Sequence, residues 1–187
     1  MVLHVEFGSP LPAFTIEGER YDLRPFRHDD LPLIEEASTD SFIPVLTTVP
    51  AEFTFEAGIA FIDRQNFRLS SGAGWSLAIV DCNQQRPVGQ IGLWIPQLHK
   101  GRAEIGYWIA ESGRGNGAAA QAVPLLSEWA FANLDVSRLS LFIEPWNEAS
   151  IRTAEQAGYE REGLLRDWER VDGIAKDMWS YYLGRPS

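Results

Sequence analysis

Only one cysteine occurs in the sequence, Cys82, inside the polar stretch from Asp81 to Arg86. A lone thiol closes no internal disulfide, so the fold needs no oxidising compartment, and nothing nearby would make the thiol reactive. No apolar run approaches the roughly 20 residues that a membrane helix requires, and the opening stretch mixes His4, Glu6 and Pro10 with short apolar pieces. Neither signal peptide nor anchor is therefore expected, and the cytoplasm is the expected location. Basic charge is scarce: 16 Lys and Arg against 26 Asp and Glu leave a net charge of -10. That balance argues against a nucleic-acid partner, which needs clustered cations, and suits an amine partner or simple solubility. The histidines His4, His28 and His99 stand apart without metal-ligand spacing, which predicts neither a metal site nor a histidine nucleophile. Internal repeats, low-complexity segments and linkers are also missing.

What is present fits one domain. The 187 residues, 45% hydrophobic and 22% charged, are ordinary globular composition, with residues 1–16 expected as a loosely placed leader. Tyr21 to Pro25 reads as a strand, and Asp29 or Asp30 can cap a helix over Leu31 to Ala37, with Pro32 in its first turn. The segment Ser38 to Phe53, carrying Pro44 and Pro50, reads as a loop. Helical spacing of Ala57, Phe61 and Ile62 predicts a helix from Thr54 to about Leu69. Three strand-like stretches follow at Trp75 to Val80, Arg86 to Pro96 and Gly101 to Ala110, separated by short polar turns, which predicts an antiparallel meander.

A helix is then predicted over Gly117 to Ala132, with Pro124 expected to kink it, and a strand over Arg138 to Ile143; together they make a strand, helix, strand crossover. A helix over Asn147 to Ala157, closed by Gly158, precedes strands near Tyr159 to Arg166 and Ala175 to Leu183. The fold class is a mixed α/β sheet. The seven tryptophans are expected mainly in the core, with two or three lining a pocket.

The chemistry concentrates at Arg114-Gly115-Asn116-Gly117-Ala118-Ala119, where a strand ends and a helix begins. Glycines let a ligand approach the backbone, and the unpaired N–H groups of a first helical turn converge on an anion with the helix dipole behind them. The same residues fit a tight turn that binds nothing. Gly115-Asn116-Gly117-Ala118-Ala119-Ala120 also satisfies a dinucleotide pattern, but that fold places its turn after the first strand, and here three meander strands precede it. A P-loop needs Lys and then Ser or Thr where Ala118 and Ala119 stand, and is excluded.

In order along the chain, Ile105-Gly106-Tyr107-Trp108-Ile109, the Arg114/Gly117/Ala119 loop, Phe142-Ile143-Glu144-Pro145-Trp146-Asn147-Glu148-Ala149-Ser150 and Ala157-Gly158-Tyr159-Glu160-Arg161-Glu162-Gly163 resemble the GNAT acetyltransferase superfamily, in its RimJ/RimL-like branch. The resemblance spans about Tyr21 to Leu183. It implies an acetyl-coenzyme A dependent N-acetyltransferase acting on a protein N-terminus or a small amine. It also implies that the diphosphate rests on Arg114 to Ala119 and that Trp108, Ile109 and Ala110 offer backbone groups to the pantetheine arm in a splay beside the strand Arg138 to Ile143.

By the same resemblance Asn147 lies against the arm, Ser150 is the proton donor to the thiolate, and Glu169 is the general base. Glu104, which alternates with Gly106 and Trp108 on one strand face, is a second candidate base. Against these roles stand blander ones: helix capping for Asn147 and Ser150, a solvated charge for Glu169. The acceptor wall is expected in Ser38 to Phe53, and a homodimer is a family-level expectation. Other readings are an acyl-coenzyme A sensor without catalysis, and a transferase for a longer acyl group such as succinyl.

Overall fold

The run Gly74–Asp81 carries apolar side chains on both of its alternating faces, and the strand that it forms, β2, is covered on both sides. Trp75, Leu77 and Ile79 enter one core, while Ala78 and Val80 face a second. This arrangement comes from a computed structural model, which describes residues 3–186.

Seven strands form one sheet in the order β1-β2-β3-β4-β5-β7-β6. Strands β1 (Tyr21–Pro25), β2, β3 (Arg86–Trp94) and β4 (Arg102–Ile109) make the expected antiparallel meander. Helix α4 (Ala118–Asn133) then crosses over to β5 (Arg138–Ile143), which pairs parallel to β4. Helix α5 (Glu148–Gln156) and the antiparallel hairpin β6 (Glu160–Val171) and β7 (Ile174–Gly184) complete the chain. On the other face lie α1 (Leu31–Ser38) and α3 (Phe55–Ser70), whose Leu33, Ile34, Phe61 and Ile62 pack on Ala78 and Trp108.

Local signals account for most of the element ends. Thr54 caps α3 by accepting from Ala57 N–H at 3.1 Å, and Asn147 caps α5 by accepting from Ser150 N–H at 3.1 Å. Gly158 follows α5 at φ +82°, a conformation that glycine adopts without strain. Asp172 and Gly173, both at positive φ, make the two-residue turn of the β6–β7 hairpin, so both strands run further than the alternation alone predicted.

Several expectations change. Asp30 occupies the N-cap position of α1, but its carboxylate does not cap the helix; it accepts from both terminal nitrogens of Arg24 at 2.8 and 2.7 Å. The segment Ser38 to Phe53 is not all loop, since Ile43–Leu46 forms a short helix, α2. Helix α4 holds Pro124 inside its 16 residues, so the proline does not end the helix. Within residues 3–16, expected to sit loosely, Leu11 is buried with its N–H bonded to the Leu69 carbonyl at the end of α3, Phe14 stacks on Trp129, and the Pro12 carbonyl accepts from the Trp75 indole at 2.8 Å.

Candidate active site

Strands β4 and β5 stay paired only from Arg102/Arg138 to Glu104/Ser140. Beyond that point β4 continues to Ile109 and β5 to Ile143 with no ladder between them, leaving a wedge walled by two strand edges whose backbone groups lack strand partners on that side. A cleft of about 1130 Å³ fills the wedge and extends from the N-terminus of α4 to the β6–β7 hairpin.

At one end of the cleft the helix is bare. The first hydrogen bond of α4 runs from Gln121 N–H to Gly117 C=O, so the N–H groups of Ala118, Ala119 and Ala120 have no helical acceptor. No side chain caps them, in contrast to α3 and α5. Gly117 through Ala120 line the cleft, so these donors and the positive end of the helix dipole face it.

Gly115 (φ +74°) and Gly117 (φ +79°) sit in the left-handed region, with open space where a Cβ would stand at Gly115. The Asn116 carbonyl accepts from the Tyr21 hydroxyl at 3.0 Å. In a trans peptide C=O and N–H point in opposite directions, so this bond turns the Gly117 N–H away from Tyr21. Arg114 donates to the Ile109 carbonyl and pairs with Asp40, while Glu36 accepts from the Ser112 N–H and hydroxyl at 2.7 and 2.9 Å. The glycine turn is thus tied to α1 and to the start of α2. Burial raises the Asp40 carboxyl, but the N–H groups of Ile43 and Phe42 and the Arg114 guanidinium outweigh it and hold the group below its usual value.

At the far end, Glu104 and Glu169 both line the cleft. Burial pushes the Glu104 carboxyl up, and the nearby Glu169 carboxylate pushes it further. Glu169 reaches this position because β6 bulges between Leu165 and Glu169, with Asp167 at φ +49°. In the floor, Gln90 accepts from the Trp108 indole N–H at 2.8 Å and donates to Ser76 Oγ at 2.8 Å, and Ser76 donates to Gln65 Oε1 at 3.1 Å. Phe42, Val45, Leu46 and Trp146 form an apolar rim, with Phe42 and Trp146 in ring contact at 4.9 Å.

Most of the site residues expected from sequence meet in this cleft: Glu104, Trp108, Ile109, Arg114, Gly115, Gly117, Ala118, Ala119, Asn147, Ser150 and Glu169. Two do not line it. Ala110 is buried in the α3-side core with its N–H bonded to the Val88 carbonyl, and Asn116 turns its carbonyl to Tyr21 and its amide to the Arg114 carbonyl. The Asn147 amide oxygen caps α5, while its nitrogen and the Ser150 hydroxyl make no hydrogen bond among the described residues.

Sequence reasoning missed Tyr21, the brace of the glycine turn, and Tyr107. The Tyr107 hydroxyl is buried without a partner in hydrogen-bonding geometry, beside the hydroxyls of Ser150 and Thr153. Burial pushes this phenol up, and the two hydroxyls partly offset the effect. Strand alternation was the available signal, since it sends Tyr107 to the face opposite Glu104 and Trp108. Among the described residues no group of three or more His, Cys, Asp or Glu is placed to hold a metal, and no helix is long and apolar enough to cross a membrane.

A bare helix N-terminus, able to take an anion, continuous with a wedge between parted parallel strands that has room for an extended arm, is the geometry of an acyl-coenzyme A dependent N-acyltransferase. The family model described as Acetyltransferase (GNAT) domain matches residues 20–160. An uncharacterised N-acetyltransferase, p20 of Bacillus licheniformis, is 26% identical over 90% of this chain and 95% of its own. Mycobacterium smegmatis RimJ, solved with a coenzyme A disulfide, superposes with a TM-score of 0.80 at 21% identity, over 94% of this chain and 90% of that one. RimL, a ribosomal L7/L12 alpha-N-protein acetyltransferase solved with coenzyme A, superposes with a TM-score of 0.76 at 19% identity, over 91% and 98%. This chain belongs to the GNAT acetyltransferase family, and its fold is the one found in RimJ and RimL.

Proposed function

We propose that the protein transfers an acetyl group from acetyl-coenzyme A to a primary amine, on a protein N-terminus or a small molecule, by direct attack without an acyl-enzyme. One observation carries this reading: a single cleft joins the bare N-terminus of α4 to the Glu104 and Glu169 carboxyls through the gap between β4 and β5. The N–H groups of Ala118 to Ala120 hold the diphosphate, and the free edge of β4, where Tyr107 and Ile109 turn their backbone groups away from β3, lines up the arm, with the Asn147 amide nitrogen against it.

The Glu104 and Glu169 pair takes the proton of the incoming ammonium. An α-amine with a pKa near 8 is about one-tenth neutral at pH 7 and a lysine only about one part in 2,500, so a base matters far more for the second. Because burial and mutual repulsion raise Glu104, the pair is a better proton acceptor than two exposed carboxylates. As the new C–N bond forms and the C–S bond breaks, the Ser150 hydroxyl gives its proton to the departing thiolate and recovers one from water. The Tyr107 phenol beside it has an unused hydrogen bond to orient that hydroxyl.

The test is coenzyme A release, read with a thiol reagent, from acetyl-coenzyme A and a panel of peptides and small amines, beside the Gly117→Glu variant. Turnover that the variant loses supports the reading. Coenzyme A binding without turnover on any amine indicates a sensor instead. Turnover only with succinyl-coenzyme A changes the donor.

A further inference from the structure

At the acceptor end of the cleft an arginine is set on an aromatic floor and left without an anion. Gly92 clears the space for that floor, since a Cβ there would lie 2.2 Å from the Trp94 ring, and Gly106 lies beneath the indole, where an added Cβ would sit in ordinary contact at 3.5 Å from its Nε1. The Trp94 indole therefore lies flat across β3 and β4. The Arg68 guanidinium, reaching in from the last turn of α3, stacks over this ring at 4.5 Å. Its Nε donates to Gln65 Oε1 at 3.1 Å, and that oxygen also accepts from Ser76. The Gln65 amide is held in turn by Thr48 Oγ1 at 3.2 Å. A buried polar network thus fixes the orientation of one face of the guanidinium, leaving the terminal nitrogens for a ligand.

The other cations of the cleft are occupied. Arg114 pairs with Asp40, and Arg170 donates to the Gly173 carbonyl. Among the described residues no carboxylate lies within ion-pair distance of Arg68, and its terminal nitrogens make no hydrogen bond, although Glu104 and Glu169 line the same cleft. Burial and the neighbouring Arg64 both disfavour its charge. A partly buried guanidinium in this state is stabilised by an incoming anion, and its planar fork matches a carboxylate.

We propose that Arg68 recognises a carboxylate on the acceptor, so that the substrate carries both the amine that is acetylated and an anionic group. This inference rests on the amine-acceptor reading of the same cleft and narrows its substrate class. A free α-amino acid supplies the carboxylate on the reacting unit, and a peptide supplies it as an acidic side chain close to the N-terminus.

The experiment compares matched acceptors that differ only in that charge: L-alanine and L-phenylalanine against their amides, and Ser-Asp-Ala-amide against Ser-Asn-Ala-amide. The expected result is a loss of tenfold or more in kcat/KM, mainly through KM, when the carboxylate is removed, in the amino-acid pair or in the peptide pair. Arg68→Gln abolishes that preference, Arg68→Lys restores part of it, and neither changes the KM for acetyl-coenzyme A. The wild-type comparison stands even if a variant folds poorly. Equal turnover of charged and neutral partners, or preference for the amides or for diamines, overturns the inference and leaves the transferase reading intact. If no amine turns over, titration of the same pairs into the coenzyme A complex, read by tryptophan fluorescence, decides it. Carboxylate-dependent quenching supports the anion site while sinking the transferase reading, and no binding sinks the anion site.

Discussion

Replacing Gly117 by alanine separates fold stability from nucleotide binding. Gly117 has φ +79°, and the nearest atom to an added Cβ is Gln121 Nε2 at 3.9 Å, so the substitution introduces backbone strain but no overlap. Holding a non-glycine residue in the left-handed region costs about 1 kcal/mol. For a chain of this size that lowers Tm by roughly 2 to 4 °C. The methyl group stands on the cleft wall where a phosphate would approach the first N–H groups of α4. Losing one charge-assisted hydrogen bond there removes about 1.5 to 3 kcal/mol, a rise of roughly 10- to 150-fold in the Kd for acetyl-coenzyme A.

Gly113→Ala is the control. Its Cβ would meet the Val88 Cβ at 2.7 Å and the Ile109 Cγ2 at 3.1 Å, an overpacking that costs about 1 to 3 kcal/mol but lies inside the fold, off the donors. Thermal melts with and without coenzyme A, combined with thiol-release kinetics, read both effects. A Gly117→Ala protein that melts a few degrees lower but binds acetyl-coenzyme A as the wild type does would refute the assignment of the diphosphate to this turn.

Tyr21→Phe releases the Asn116 carbonyl; the lost hydrogen bond lowers stability by about 1 kcal/mol, and the KM for acetyl-coenzyme A rises several-fold in initial-rate measurements. Glu104 has a raised folded pKa, so its ionised form disfavours the native state: this penalty is absent below the unfolded pKa, grows as pH rises from there towards the folded value and levels off above it. Glu104→Gln should therefore melt higher than wild type at pH 7 and equal it below about pH 4, while its kcat/KM for amines falls about 100-fold or more if the carboxyl accepts the proton. Gln90→Leu leaves the buried Trp108 N–H without its acceptor and should cost about 1 to 3 kcal/mol in denaturant unfolding. Tyr107→Phe removes an unpartnered hydroxyl, so stability holds or rises, and a fall in kcat at unchanged KM would mark a role in orienting Ser150.

What the sequence determined by itself is what neighbouring residues control. Strand alternation, Thr54 and Asn147 as caps, the Gly158 stop and the glycine turn between β4 and α4 depend on a few adjacent dihedrals and side chains, so the meander, the crossover and the bare helix N-terminus were legible before any packing was known. The Asp172-Gly173 turn was equally local and was overlooked, which left β6 too short to show how Glu169 reaches the cleft. The tertiary structure decided which groups meet. The parting of β4 and β5 after Glu104, the Tyr21 brace on Asn116, the Asp40 grip on Arg114 and the Arg68 stack on Trp94 all join residues whose separation along the chain carries no periodic signal. Residues 3–16 follow the same rule, since their order comes from Trp75 and Trp129. Charge on a lone Arg68 or Glu104 means little in a sequence; its meaning comes from burial and from which opposite charge is absent, and only packing sets both.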